Sequence, residues 1–310
     1  MTRPTALRAI GVEKRYGEVR ALDGFDLEVA AGSIHALLGP NGAGKTTAIG
    51  TFATLTRLEH GTVEVAGHDV RSQPARVRAA IGLVGQASAL DEVLHGSENL
   101  VMFGRLHGLS KAEAGRRGAE LLADFGLTEA ADRKVATYSG GMRRRLDIAA
   151  SLIRRPGLLF LDEPTTGLDP RGRAEVWRAV QQVVDLGTTV LLTTQYLDEA
   201  DQLADRITVM GAGRVIAEGT SAELKSRLGG DRVIVTPRLA ADVPALVSAL
   251  DGTADDEALS VSVEAGSAGG TAALLRAVRA IDESDIEVDD VLLRRPTLDE
   301  VFLHLTQEAA

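Results

Sequence analysis

IHALLGPNGAGKTTAI, residues 34–49, begins as an apolar run and breaks after Leu38 into Gly39, four variable residues, then Gly44, Lys45 and Thr46. A run of this kind reads as a buried strand that delivers a phosphate cradle. Glycine reaches backbone angles closed to other residues, so successive N–H groups of the loop turn inward toward a polyphosphate. Lys45 adds a point charge for the outer phosphates and Thr46 offers a hydroxyl to Mg²⁺. A helix opening near Gly44 aims its positive end at the same anion. The stretch therefore predicts nucleoside triphosphate binding.

Outward from the cradle, 310 residues suffice for a large domain and a small one with an ample core. Acidic residues outnumber basic ones 44 to 34, a net charge of −10, and such a chain is repelled by nucleic acid and anionic lipid alike. Any membrane attachment is then expected to run through a protein partner. The lack of cysteine excludes disulfides, thiolate metal sites and cysteine nucleophiles. The opening MTRPTALRAIGVEKRYGE has no continuous apolar core of signal-peptide length. No apolar run approaches the roughly eighteen residues of a spanning helix, and the expected location is cytoplasmic.

Residues 1 to about 225 alternate short apolar runs with helical periodicity, as in an α/β domain around a largely parallel sheet. Strands are expected at 34–38, 158–162, 188–193 and 206–210, and between Gly96 and Arg155 helices take over as an insert. A further helix is expected over 170–186: Asp169 caps it, Pro170 opens it, Val176, Val180, Val183 and Val184 share one face, and Gly187 ends it. After Gly229 and Gly230 the composition shifts. VIV, LSVSV and IEV alternate around TAALLRAVRAI, which predicts a small α+β domain with GSAGG at 266–270 as an internal loop.

Downstream, GLLFLDEPTTGLDP places Asp162 and Glu163 at the end of a strand, where successive side chains face opposite ways. Asp162 can hold Mg²⁺ through water while Glu163 aims at an attacking water as general base. YSGGMRRRLDIAASLI is a Ser-Gly-Gly turn opening a helix. Read alone, it is a serine helix cap before it is an anion seat. Arg143, Arg144 and Arg145 read as a solvated helix face rather than phosphate ligands.

Cradle, SGG turn and LDEP strand, in this order and spacing, resemble the ATP-binding subunit of ABC transporters over nearly all of residues 5–225. The resemblance implies that Gly39, Pro40, Asn41, Gly42, Ala43, Gly44, Lys45, Thr46 and Thr47 form the Walker A loop. Gln86 would be the Q-loop residue, joining Thr46 and Asp162 at Mg²⁺, while LFLDEP would be Walker B and Asp169 the D-loop aspartate. Tyr16 lies where the family stacks an aromatic on adenine, though a tyrosine near a strand end also serves packing. A head-to-tail homodimer is implied, with Ser139, Gly140 and Gly141 of the signature closing over ATP held by the other copy.

Where most such ATPases have a histidine, TTQYLDEADQLAD places Gln195, which exchanges hydrogen bonds but carries no charge near pH 7. Gln195 is therefore read as positioning the γ-phosphate, alongside Lys45 and Glu163 as the catalytic set. This glutamine, with VGQASALDEVLHGSENLVMFGRLHGL and the tail RRPTLDEVFLHLT, makes the chain similar to daunorubicin-resistance drug-export ATPases. In the tail, Leu298, Val301, Phe302 and Leu305 make an apolar helical face, read as core of the small domain with dimer support.

The fold expected is α/β, a P-loop NTPase of the ABC ATPase type over 1–228 with a helical subdomain at about 96–155, plus a C-terminal α+β accessory domain over 229–310. The resemblance implies an ATPase, peripheral on the cytoplasmic side of the cell membrane, that powers efflux of a hydrophobic drug through an integral membrane permease, its only membrane contact. The alternative is a soluble ABC ATPase acting on ribosome or DNA. Proteins of that kind typically carry two cassettes or a coiled-coil insert, and the single cradle and acidic balance here speak against a nucleic-acid partner.

Overall fold

The computed structural model describes residues 4–226, 231–255, 259–266, 269–284, 286–294 and 297–302. The chain divides into two compact units, Met1–Ser221 and Ala222–Ala310. Gly229, Gly230, Leu305 and the middle of the GSAGG loop lie outside the described residues.

In the first unit, β1 (Thr5–Tyr16), β2 (Val19–Ala30), β3 (Ile34–Leu38), α1 (Lys45–Phe52), β4 (His60–Val65), β5 (His68–Asp69), α2 (Pro74–Ala80) and β6 (Ile81–Val84) follow in order. The helices α3 (Gly96–Leu106), α4 (Lys111–Asp124) and α5 (Gly140–Ser151) then run without an intervening strand. The chain continues through β7 (Leu158–Asp162), α6 (Pro170–Asp185), β8 (Thr189–Thr194), α7 (Leu197–Leu203), β9 (Arg206–Gly211), β10 (Arg214–Gly219) and α8 (Ser221–Ser226), which crosses the unit boundary.

Six strands form a sheet in the order β10-β9-β3-β8-β7-β6, parallel throughout except for the β9–β10 hairpin at its edge. Every residue of β3, β7 and β8 is buried, which is why these strands read as mostly apolar runs rather than alternating ones. A second, antiparallel sheet, β2-β1-β4-β5, was not among the strands expected from sequence. Between the two sheets α1 is clamped by aromatic rings. Phe52 lies 6.3 Å from Phe25 of β2 and 6.3 Å from Phe160 of β7, centroid to centroid. The helix that carries the cradle is thus held from both sides within one hydrophobic core.

Helix α4 opens with a capping box, since Ser110 Oγ accepts from Glu113 N and Glu113 Oε2 accepts from Ser110 N. The close approach of α3 to α4 depends on Gly104, where a Cβ would collide with the Cβ of Ala114. Helix α6 begins on Asp169, whose carboxylate accepts from Gly172 N at 2.8 Å, and buries Val176, Val180 and Val183, while Val184 is only half-buried.

The second unit runs β11 (Arg232–Pro237), α9 (Val243–Leu250), β12 (Thr253–Asp255), β13 (Ser260–Glu264), α10 (Gly270–Glu283) and β14 (Val288–Arg294). Its strands pair antiparallel in the order β12-β13-β11-β14. Val233, Val235 and Val261 pack against Leu246, Ala273 and Ala277 of the two helices. In the tail Leu298 and Val301 are buried and Phe302 is half-buried.

Candidate active site

Parallel strands deliver their carboxyl ends to one edge of the sheet, where open α/β proteins bind ligands. At that edge β3 runs into the loop Gly39–Gly44, β6 into Gln86, β7 into Glu163 and β8 into Gln195. The cradle is anchored at both ends. Gly39 N donates to Thr194 O at 3.2 Å, and Ala43 O accepts from Gly213 N in the β9–β10 turn at 3.0 Å. Two glycines are required by close approach: a Cβ on Gly39 would collide with the Met210 carbonyl, and one on Gly44, already at φ +105°, with the Ala21 carbonyl. Pro40, Asn41 and Gly42 form the exposed crest, while Ala43 and Lys45 are buried and Thr47 half-buried.

Lys45 is 4% exposed, and its Nζ donates to Gly39 O at 2.8 Å and Pro40 O at 3.1 Å. It also lies 3.4 Å from Glu163 Oε1. Thr46 Oγ1 stands 3.3 Å from Asp162 Oδ1. The same carboxylate oxygen accepts from Thr193 Oγ1 at 2.6 Å, so a buried threonine of β8 fixes the orientation of Asp162. Asp162 and Glu163 do face apart: Asp162 meets Thr46 and Thr193, whereas Glu163 meets Lys45 and Thr166. Glu163 holds φ at +49°. For a non-glycine residue this conformation costs about 1–3 kcal/mol and persists only where the surroundings enforce it. Here Glu163 N donates to both Thr193 O and Thr193 Oγ1 at 3.1 Å.

The structure brings Lys45, Thr46, Asp162 and Glu163 into one contact set and puts Gln86 and Gly140 on a cavity of about 220 Å³ with Glu163. Gln195 is half-buried, and its side chain has no hydrogen-bond partner among the described residues. Ser139 caps α5 by accepting from Met142 N at 3.2 Å. No hydrogen bond links Ser139, Gly140 or Gly141 to the cradle among the described residues. Asp169 spends its carboxylate on the α6 cap. Tyr16 is 53% exposed at the β1–β2 turn, with Lys14 Nζ over one face of its ring, 5.2 Å from the centroid.

The arginine triplet departs from the expected solvated face. Arg143 donates to Ala136 O and pairs with Glu92, Arg145 donates to Phe125 O and pairs with Glu175, and Arg144 donates only to backbone carbonyls beside the site. Arg144 turns inward because α5 passes beside the loop after β7, whose carbonyls need donors, whereas Arg143 and Arg145 reach the carbonyls of Ala136 and Phe125. Sequence reasoning also passed over Glu199. It is buried on α7, accepts from Thr165 Oγ1 at 2.8 Å and Trp177 Nε1 at 3.1 Å, and burial pushes its carboxyl up. Asp147 of α5 is likewise buried and pushed up, while its Oδ1 accepts from Ala89 N at 3.3 Å in the loop after Gln86. The polar pair ending the apolar run VLLTT was a readable signal for Thr193; an acid-rich helix gave none for Glu199.

The ABC transporter family model matches residues 22–166, from β2 through the end of the Glu163 loop. The daunorubicin resistance ATP-binding protein DrrA3 of Streptomyces coeruleorubidus is 57% identical over 307 residues, covering 97% of this chain and 96% of that protein. The daunorubicin/doxorubicin resistance ATP-binding protein DrrA of Streptomyces peucetius is 52% identical, covering 100% and 95%. Among solved structures, the ADP conformation of MJ1267, an ATP-binding cassette of an ABC transporter, superposes with a TM-score of 0.65 at 26% identity, covering 71% of this chain and 92% of that one. Similarity that runs through both units, together with the cradle and the Asp162–Glu163 pair at one sheet edge, makes the chain an ATPase of the ABC transporter family, among the daunorubicin-resistance ATP-binding proteins.

Proposed function

We propose that the chain is the ATP-hydrolysing subunit of an exporter and drives a hydrophobic, antibiotic-like molecule through a separate integral membrane subunit. One observation carries the catalytic half: Lys45, Thr46, Asp162 and Glu163 converge where β3 and β7 end. A hydroxyl and a carboxylate 3.3 Å apart suit Mg²⁺, which favours one or two protein oxygens and completes its shell with phosphates and water. Thr46 and Asp162, joined by Gln86, would hold the ion, which supplies charge neutralisation on the phosphates. No cluster of three or more acidic or histidine side chains among the described residues offers a separate metal site.

The backbone N–H groups of Gly39–Thr47 and the Lys45 ammonium bind the polyphosphate, and Tyr16 offers its exposed ring to the base. Glu163 accepts the proton of the attacking water. Gln195 holds the γ-phosphate by neutral hydrogen bonds and contributes no titration of its own near pH 7. In a head-to-tail homodimer Ser139, Gly140 and Gly141 of one copy close over the nucleotide of the other, with Asp169 at the same seam. Support for export comes from the relatives, which are named for resistance to daunorubicin and doxorubicin. No helix among the described residues is long and apolar enough to cross a membrane. We read the chain as a peripheral subunit on the cytoplasmic side of the cell membrane, attached through the permease alone, and its net charge of −10 speaks against a nucleic-acid partner.

The test is ATP turnover with and without Mg²⁺ for the parent, Lys45→Ala and Glu163→Gln. Lys45→Ala loses ATP affinity in calorimetry. Glu163→Gln keeps that affinity, turns over about 10²- to 10⁴-fold more slowly, and accumulates dimers with ATP in light scattering. A Glu163→Gln protein as fast as the parent removes the base assignment. Cells co-expressing the permease that gain no resistance to any hydrophobic antibiotic, while turnover is normal, remove the export assignment alone.

A further inference from the structure

Arg144 lies on the first turns of α5, five residues after Ser139. Its guanidinium donates from Nε to Pro164 O at 2.8 Å and from Nη2 to Asp162 O at 3.1 Å and Glu163 O at 3.0 Å. Three consecutive carbonyls around the residue held at φ +49° are therefore tied to one side chain. The remaining arm, Nη1, donates to Gly85 O at 2.6 Å, one residue before Gln86. One turn further along α5, Asp147 takes Ala89 N, on the other side of Gln86. A rigid planar fork with five N–H donors spans such a set, and a flexible ammonium does not. Arg143 and Arg145 bond elsewhere, so this geometry belongs to the middle arginine.

We propose that Arg144 is a positioning residue for hydrolysis: it holds the strained Glu163 backbone and the Gln86 loop in register with the helix that begins at the Ser139–Gly141 turn. The inference rests on reading Glu163 as the base. Among the described residues Arg144 makes no direct hydrogen bond to the cradle and reaches Asp162 and Glu163 only at their main-chain carbonyls, so its loss should fall on turnover more than on nucleotide binding. The same linkage gives the signature turn a direct mechanical route to the base of its own subunit, through one guanidinium and no intervening side chain.

The test uses the full-length chain, with steady-state ATPase, ATP titration and single-turnover rates for the parent, Arg144→Met, Arg144→Lys, Glu163→Gln and the Arg144→Met/Glu163→Gln pair. Misplacing a reacting group by an ångström costs on the order of 100-fold, so Arg144→Met should lower kcat by about 10- to 100-fold with KM and ATP affinity within about twofold of the parent. Arg144→Lys recovers part of the loss. Because Arg144 acts through Glu163, Arg144→Met in the Glu163→Gln background should lower the single-turnover rate far less than it does in the parent. Parent-level kcat in Arg144→Met overturns the proposal, as does an equal loss in both backgrounds or a loss confined to ATP affinity. Should circular dichroism show Arg144→Met unfolded, parent-level kcat in Arg144→Lys overturns it instead. A parent without ATPase activity removes the Glu163 reading and this proposal together; an active parent with unaffected arginine variants removes this one only.

Discussion

At the scale of single residues, burial decides what each ionisable group can do. His35 of β3 is 1% exposed with Nε2 2.8 Å from Thr208 Oγ1, and burial pushes its pKa down from 6.5 to about 4. Between those values the unfolded chain binds the proton that the folded chain refuses. His35 therefore leaves stability intact above pH 6.5 and removes it progressively as pH falls toward about 4. The depression corresponds to about 3 kcal/mol. Urea unfolding across this range should show the parent losing about that much more than His35→Gln; parallel losses would mean that His35 protonates freely in the fold. Lys45, Thr46, Asp162 and Glu163 were legible because chemistry fixes their spacing along the chain. Arg144 was not. Its two neighbours are also arginines, successive helix positions point about 100° apart, and only the tertiary placement of the Pro164 and Gly85 carbonyls selects the middle one.

Among the elements, α1 has the most to position and the least intrinsic means to do so. It is eight residues long, below the length at which an isolated helix holds together, and so depends on packing. Phe52 supplies that packing from between Phe25 and Phe160. Phe52→Ala should cost about 3–5 kcal/mol in unfolding free energy of the first unit and loosen ATP binding as well. A loss below about 1 kcal/mol in denaturant titrations would mean the aromatic sandwich is dispensable. The strands that flank this helix differ in legibility for a physical reason. Strands β3, β7 and β8 announce themselves because both faces are covered. The β1–β2 hairpin shifts register repeatedly, as where Val12 faces Phe25 but Lys14 faces Leu22, and Gly24 sits between those partners at φ +68°. Each slip breaks the period of two on which strand recognition relies.

Across the whole molecule, every proposed nucleotide residue lies in Met1–Ser221, and the second unit adds none. A chain ending after Leu228 is therefore expected to bind ATP with parent affinity in calorimetry while its ATP-dependent dimers, or its assembly with the permease, weaken. Full ATP-driven export by the shortened protein would take the second unit out of the mechanism. The α+β character of that unit was readable from the alternation in VIV and LSVSV, now β11 and β13. Composition changes at Gly229, and the compact units divide after Ser221, where the short helix α8 begins. The sequence holds one tryptophan, Trp177, placed on α6 with its indole N–H on Glu199 and Arg173 over its ring. Its fluorescence is consequently a built-in optical label for one half of the chain only: during heating, emission follows the first unit, far-ultraviolet circular dichroism sums both, and the gap between the two melting curves measures how independently the halves come apart.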